Sequence, residues 1–111
     1  MGQFVIRHRV NGGAIYTGIG DSLVRVVEAA VKAGQSLASA DLSGIDLSNA
    51  NLQGANLSDA DLHGTKFDGA NLRGANMTNA NLKNASLVNV SSAKLTLTGA
   101  TTTNFTHVNK D

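Results

Sequence analysis

Cysteine, proline and tryptophan are all missing from this 111-residue chain, and aromatic residues make up only 4% of it. Without cysteine the fold has no disulfide bonds and no thiolate chemistry, which agrees with a reducing compartment. No apolar run approaches the roughly 18 residues of a membrane span. The N-terminus also lacks the charged and apolar regions of a signal peptide. We therefore expect a cytoplasmic protein that does not associate with membranes.

An excess of charge of one sign is also missing. Nine Lys and Arg residues stand against eight Asp and Glu residues, so the formal net charge is only +1. A nucleic-acid-binding surface normally needs a clear excess of basic residues. We expect no direct binding to DNA or RNA, and the length fits one compact domain.

What the chain does contain is a five-residue repeat of large apolar residues. A small or apolar residue, usually Ala, stands two positions before each repeat centre, and Asp or Asn usually stands between them. This period matches neither the roughly 3.6 residues of a helix nor the roughly 2 residues of a strand. It predicts a coil in which each pentad forms one side of a four-sided turn. The ten centres are Leu42, Leu47, Leu52, Leu57, Leu62, Phe67, Leu72, Met77, Leu82 and Leu87.

Glycine and asparagine recur between the centres, where the chain must turn a corner. Both residue types tolerate the backbone conformations that such corners need. Successive coils would stack about 4.8 Å apart by strand-like pairing, so residues twenty apart would lie above one another. Leu42, Leu62 and Leu82 would then form one inner column. The corner residues are Gly44, Gly54, Gly64, Gly69 and Gly74, with Asn49, Asn79 and Asn84 at equivalent places.

The motif A-[DN]-L-x-x closely resembles the pentapeptide-repeat family. Two clear copies are Ala50-Asn51-Leu52-Gln53-Gly54 and Ala70-Asn71-Leu72-Arg73-Gly74, and the resemblance covers residues 40–89. It implies an all-β solenoid, namely a right-handed quadrilateral β-helix. The handedness comes from the resemblance, since the period alone leaves it open.

The N-terminal third follows a different pattern. Residues 4–10 and 14–19 alternate apolar and polar side chains around a glycine-rich turn, which predicts a β-hairpin. Asp21 or Ser22 can cap a helix that runs to about Ala33, with Gly34 as its stop. We expect residues 1–35 to form a hairpin and an α-helix that cap the first coil. Residues 36–111 would form the solenoid, and both parts would make one structural unit.

Beyond Leu87 the repeat changes, because Ser92 stands where an apolar centre is expected. The pattern reappears displaced at Ala93-Lys94-Leu95, which predicts a three-residue insertion and a frame break near residues 88–92. A weak, Thr-rich last coil follows. Since no helix covers this coil, either its own tail or a second copy must close it. We expect a homodimer through the C-terminal coil, which the resemblance also implies. Its candidate contacts are Val88, Val90, Leu97 and Phe105.

No catalytic, cofactor or metal site is predicted. A coil filled by Leu, Phe and Ala leaves no internal pocket for convergent polar groups. His8, His63 and His107 are far apart in sequence, so we expect no shared metal site. Asp59 and Asp61 resemble a carboxylate pair, but solvated side chains are the better interpretation. We therefore expect a protein that is not an enzyme and binds no cofactor.

The remaining candidate for function is surface charge. Aspartates concentrate in the early coils and cations come later, so the long axis should be electrically polar. We expect the acidic surface to bind a protein target. The aspartates are Asp41, Asp46, Asp59, Asp61 and Asp68, and the later cations are Arg73, Lys83, Lys94 and Lys110.

Three hypotheses for the function follow. The hairpin, helix and solenoid layout resembles proteins of bacteriophages and prophages, which implies an inhibitor or modulator of a host enzyme or defence complex in the bacterial cytoplasm. A structural or assembly module that binds through its ends is the first alternative. The second is a DNA mimic that protects or inhibits DNA gyrase, as the family resemblance implies. Residues 36–111 contain six Asp and five Lys or Arg, which weakens the DNA-mimic alternative.

Overall fold

The computed structural model describes residues 2–109, a hairpin and a helix followed by short, β-bridged turns. Strand β1 (Gly2–His8) lies between β2 (Ala14–Gly20) and β3 (Ala40–Asp41) in a three-stranded sheet, and β4 (Ser86–Val90) pairs with β5 (Thr106–Asn109) in a two-stranded sheet. Lys110, one of the predicted cations, lies outside the described residues. Helix α1 (Leu23–Lys32) lies between β2 and β3 in the chain.

The predicted hairpin is present, with slightly different bounds. β1 and β2 pair antiparallel from Gly2 opposite Gly20 to Arg7 opposite Ala14. β1 ends at His8 rather than at residue 10, because the turn begins earlier. The Asn11 side chain accepts a hydrogen bond from the Gly13 N–H at 2.8 Å and holds this turn.

Helix α1 also lies where the sequence predicts it. The Ser22 hydroxyl oxygen caps its first turn by accepting a hydrogen bond from the Arg25 N–H at 3.3 Å. The helix ends before Gly34, whose φ of 78° is left-handed. Its apolar face is buried in the same core as the first coil, through Val26, Val27 and Ala30.

The repeat forms a ladder in which residues twenty apart are paired. All ten predicted centres are at most 1% exposed. The Leu42 N–H donates to the Asp61 carbonyl at 3.0 Å, and the Asp61 N–H donates to the Ala40 carbonyl at 2.8 Å. Such bonds satisfy the buried backbone without long strands. Parallel bridges sort the pentads into four stacks. The first stack comprises residues 41–45, 61–65, 81–85 and 101–105, the second 46–50, 66–70, 86–90 and 106–109, the third 51–55, 71–75 and 91–95, and the fourth 36–40, 56–60, 76–80 and 96–100.

The predicted insertion and frame break near residues 88–92 are wrong. Left-handed corners recur at fourteen positions spaced five apart, from Ser39 to Asn104. The bridge from Asn71 to Ser91 keeps the twenty-residue register. Ser92 therefore occupies a centre position and Leu95 the position that Ala usually holds. Backbone hydrogen bonding maintains the frame even where the large side chain moves to the other inward position. Only the pairing of β4 with β5 is irregular in this region, with a register shift between Val88 and Val90.

The last coil is packed less completely than the others. Leu95, Leu97, Ala100 and Phe105 are only partly buried against the core. His107 stacks on Leu87 in an inner column. Its Nε2 atom is enclosed and lacks a hydrogen-bond partner within the described residues. No helix in residues 2–109 has the length and apolar character needed to cross a membrane.

Candidate functional site

The five predicted partner-binding aspartates lie on three of the four stacks. Asp41 and Asp61 are bridged neighbours in the first stack. Asp46 and Asp68 belong to the second stack. Asp59 occupies a corner of the fourth stack, with a φ of 59°. The structure thus brings the first pair together and spreads the other three over adjoining surfaces.

Hydrogen bonds hold four of these five carboxylates in place. The Oδ1 atom of Asp41 accepts the Ser43 N–H at 3.1 Å and the Ser43 hydroxyl at 2.7 Å. Asp61 Oδ1 accepts the His63 N–H at 3.2 Å. This pattern is the turn in which an Asp or Asn side chain bonds to the backbone two residues later. Asp and Asn therefore alternate at one position of the repeat because either can close the turn.

Asp68 is held differently, by the coil that follows it. Its Oδ1 atom accepts the Ser86 hydroxyl at 2.6 Å and the Val88 N–H at 3.1 Å. Because both donors belong to β4, the carboxylate links two coils of the second stack. The Asp68 side chain is thus part of the fold as well as of the surface.

Asp46 combines a turn with a neighbouring cation. Its Oδ1 atom accepts the Ser48 N–H at 3.0 Å, and its bridge partner in the next coil is Lys66. The Ser48 hydroxyl is the main cause of the lowered pKa of Asp46, the Ser48 N–H comes next, and the charge of Lys66 adds a smaller effect. The acidic surface is therefore interrupted by a positive charge on the second stack.

Asp59 contacts the N-terminal hairpin through its backbone. The Arg9 Nη1 atom donates a hydrogen bond to the Asp59 carbonyl oxygen at 2.9 Å. This contact joins the hairpin turn to the corner between the fourth and first stacks. The Asp59 side chain itself is exposed.

The three histidines do not come together. His8 lies in β1, and His107 lies in the last coil. His63 lies on the first stack, where its Nε2 atom is 3.3 Å from the Asn84 amide nitrogen. Within residues 2–109, no group of three or more His, Cys, Asp or Glu side chains is arranged to hold a metal ion.

The predicted end contacts differ in their exposure. Val90 is fully buried, so its proposed role as a surface contact is wrong: it fills the inward position that Ala holds elsewhere. Val88 is half-buried in β4, and Leu97 and Phe105 are partly buried. The sequence interpretation missed Val108, which lies opposite Val88 and is 52% exposed.

Two adjoining grooves along the third stack were also missed. The first has a volume of about 510 Å³ between α1 and the coil, and the second, of about 360 Å³, continues along the stack. Gln53 lines both. The sequence did contain one indication of these grooves, because the pentads of the third stack have no Asp or Glu. This becomes visible only when every fourth pentad is assigned to the same stack. The first groove is lined by Glu28, Ala29, Val31, Lys32, Asn51 and Gln53, and the second by Gln53, Gly54, Arg73, Gly74, Ala93 and Lys94.

The repeat identifies the family. The model of the pentapeptide repeats matches eight copies over residues 36–67 and 55–91, which is just over half of the chain. The chain belongs to the pentapeptide-repeat family. Proteins of this family form right-handed quadrilateral β-helices and are generally non-enzymatic structural or binding proteins.

Three solved pentapeptide-repeat structures are similar to the chain. Rfr23 from the cyanobacterium Cyanothece 51142 is 39% identical, with 61% of this chain and 54% of that one covered and a TM-score of 0.42. A protein from Nostoc PCC 7120 is 27% identical, with 78% of this chain and 84% of that one covered and a TM-score of 0.44. HetL from Nostoc sp. PCC 7120 is 30% identical, with 60% of this chain and 35% of that one covered and a TM-score of 0.37. HetL is involved in the regulation of heterocyst differentiation. This pentapeptide-repeat chain thus spans about half of Rfr23 and a third of HetL. No curated protein matches it by sequence.

Proposed function

We propose that this pentapeptide-repeat chain is a non-catalytic protein-binding module that contacts its partner through the outer surface of its coils. We also propose that the four stacks close into the right-handed quadrilateral β-helix of the family, with the hairpin and α1 as its N-terminal cap. The cap is supported by the pairing of β1 with β3, where Arg7 lies opposite Asp41. It is also supported by the Glu28 carboxylate, which accepts the Asn51 N–H at 2.8 Å.

The observation that carries this proposal is the fixed arrangement of aspartates on the first and second stacks. Hydrogen bonds orient the carboxylates of Asp41, Asp46, Asp61 and Asp68 before any partner arrives. Prearranged groups lose less conformational entropy on binding, and a charge pattern speeds the approach of an oppositely charged surface. The expected partner surface is therefore basic.

Within this role we propose an inhibitor or modulator of the type that phages carry, directed at a host enzyme or defence complex. The support is the layout of hairpin, helix and coils, together with a surface whose binding groups are rigid. Nothing in the charge distribution favours the DNA-mimic alternative, because Lys66 lies beside Asp46 and Lys83 lies on the first stack.

Affinity capture from a bacterial lysate tests the acidic surface. The native chain is compared with a variant carrying Asp41→Asn, Asp46→Asn, Asp61→Asn and Asp68→Asn. Asn keeps the oxygen that closes the turns of Asp41, Asp46 and Asp61, as Asn51 does for the Gln53 N–H. At Asp68 it keeps an oxygen that can accept the Val88 N–H of the next coil, so the fold should survive. We expect the variant to lose the captured partner, with about a tenfold or greater loss of affinity in a direct binding measurement.

Two variants that each remove two negative charges serve as controls for net charge. One carries Asp41→Asn and Asp61→Asn in the first stack, and the other carries Asp46→Asn and Asp68→Asn in the second. Unequal losses would locate the contact on one stack. Undiminished capture by the fourfold variant, with an unchanged circular dichroism spectrum, would contradict the proposal.

A second candidate function is assembly through the last coil. β5 pairs only with β4 within the described residues, so its other edge is open. Val108 is exposed beside this edge. An open strand edge flanked by apolar side chains favours association, which supports the homodimer.

A further inference from the structure

The third stack has a charge unlike that of the others. Its pentads contain no Asp or Glu, whereas Arg73 and Lys94 are both exposed. Both cations line the second groove, and Lys32 of α1 lines the first. We call the joined surface lined by Lys32, Gln53, Arg73 and Lys94 the basic groove. Its three cations belong to the helix and to two successive coils.

One carboxylate, Glu28, also lines this surface, but its charge is matched locally. The Glu28 Oε1 atom forms an ion pair with Arg25 Nη1 at 2.6 Å. Its Oε2 atom accepts the Asn51 N–H at 2.8 Å. Since Arg25 offsets the charge of Glu28, the potential in the basic groove is set by Lys32, Arg73 and Lys94.

Lys94 occupies a backbone position that does not suit lysine. Its φ is 62°, and the other thirteen left-handed corners of the repeat are Gly, Asn, Asp or Ser. The corresponding corners of the same stack are Gly54 and Gly74. Lysine is disfavoured in this conformation because its Cβ crowds the backbone. A cation thus stands at this corner at a conformational cost, whereas the two equivalent corners that line the groove are glycines without side chains.

We propose that the basic groove binds an extended, acidic segment of a partner protein. Charge complementarity is the main argument, because three cations face one surface without a free carboxylate. Coils rise by about 4.8 Å and alternate residues of an extended peptide are about 6.6 Å apart. Long Lys and Arg side chains absorb this difference, so acidic residues at alternate positions can reach Arg73 and Lys94, and a longer segment can also reach Lys32 along the joined surface.

The other groups of the basic groove also suit a peptide. Gln53 offers an amide beside the path of the segment, and Ala29 and Val31 offer apolar contacts. Nucleic-acid grooves combine many cations with aromatic side chains on which bases stack. Neither groove is lined by an aromatic residue. This site goes beyond the proposed function, which places a different partner contact on the first and second stacks.

Fluorescence anisotropy with a labelled peptide of about seven alternating Glu and Ser residues tests the proposal. The variant Arg73→Gln with Lys94→Asn removes two charges and introduces residues found at equivalent positions, Gln53 and the Asn corners. We expect it to weaken peptide binding about tenfold. The control Lys66→Asn with Lys83→Gln removes the same charge from the second and first stacks, and we expect less than a twofold change.

Three further results would each overturn the proposal. In the first, the two double variants weaken peptide binding equally. In the second, a peptide in which Gln replaces Glu binds as tightly as the acidic peptide. In the third, the acidic peptide does not bind at about 1 mM protein at low salt. Tighter binding of a single-stranded oligonucleotide, lost in the Arg73→Gln, Lys94→Asn variant, would replace the peptide with nucleic acid. Circular dichroism of each variant is the control for folding, and an unchanged spectrum would exclude loss of structure as the cause of weakened binding. We expect the Lys94→Asn variant to fold, because Asn suits the left-handed corner better than Lys does.

Discussion

At the scale of single residues, the corners are as important as the apolar centres. Each corner needs a left-handed backbone, and some also lie against the coil before them. A Cβ atom added to Gly69, whose φ is 73°, would collide with the Asn49 side-chain oxygen. Gly44 has a similar φ of 69°, but nothing lies within 4 Å of such an atom. Alanine substitutions at these two glycines therefore distinguish the free-energy cost of a left-handed backbone from the cost of a steric contact.

We predict that Gly69→Ala destabilises the protein more than Gly44→Ala. Both changes carry the conformational cost of about 1 kcal/mol that alanine meets at positive φ. Gly69→Ala adds the cost of turning the Asn49 side chain away from its position, about 0.5–1.5 kcal/mol. Urea unfolding of the two variants measures the difference. An Asn49→Gly background should remove the extra cost of Gly69→Ala, and equal free energies of unfolding for the two single variants would contradict the prediction.

The carboxylates and amides of the repeat have two roles at this scale. Asp41 and Asn51 each accept an N–H bond from the residue two places later. The charge on the surface is thus independent of the turn that the side chain closes. Asp46 differs, since the Ser48 hydroxyl and N–H that close its turn also lower the pKa of its carboxyl and so favour the charged form. Charge can therefore be changed by Asp→Asn substitution with little loss of structure.

At the scale of elements, α1 is tied to the coil by one charged side chain. The Glu28 carboxylate bonds both to Arg25 of its own helix and to the Asn51 N–H of the third stack. Its side chain is 19% exposed, whereas that of Arg25 is 70% exposed. The Glu28 carboxylate is therefore the less exposed partner of the ion pair, although Asn51, its partner in the coil, is itself exposed.

We predict that Glu28→Ala destabilises the protein by about 0.5–1.5 kcal/mol, because the Asn51 N–H group loses its charged acceptor and must bond to water instead. The Asn51 amide should then exchange with solvent faster. Arg25→Ala is the control, since an exposed ion pair contributes about 0–1 kcal/mol. Hydrogen exchange followed by NMR measures the exchange rate of the Asn51 amide and the global stability in both variants. If Arg25→Ala accelerates the exchange of Asn51 as much as Glu28→Ala does, the bond to Asn51 depends on the ion pair and the prediction is wrong.

At the scale of the whole molecule, the two ends of the repeat carry different structures. The N-terminal end has β1 paired with β3 and α1 packed in the common core. The C-terminal end has β5 with an open edge and a last coil whose apolar residues are only partly buried. Association is therefore expected at the C-terminal end.

We predict a homodimer that Val108→Lys disrupts. Charge repulsion and the loss of an exposed apolar contact should shift the protein to a monomer, as measured by analytical ultracentrifugation. Val10→Lys is the matched control, because Val10 is even more exposed, at 81%, but lies at the other end. A native protein that remains monomeric at about 100 μM, or a dimer unaffected by Val108→Lys, would contradict assembly through this end.

Local patterns in the sequence determined much of this architecture. The five-residue period identified the buried centres, and turn and capping residues identified the hairpin and α1. These features depend on neighbours along the chain, so one sequence is sufficient to read them. Thr65 shows a limit of this approach: its buried hydroxyl donates to the Leu42 carbonyl at 2.7 Å across coils, although the repeat pattern indicates only a small inward residue.

Only the tertiary structure decided the frame beyond Leu87, the burial of Val90 and the existence of the basic groove. The sequence shows the repeat only through side-chain size, and Ser92 is small where a large residue is expected. In the structure, backbone hydrogen bonds between coils maintain the five-residue frame, and they tolerate Ser92 at a centre position. The basic groove joins Lys32 of a helix to Arg73 and Lys94 of successive coils. Its charge arises because coiling brings together residues that are far apart in the chain, and no local period carries that information.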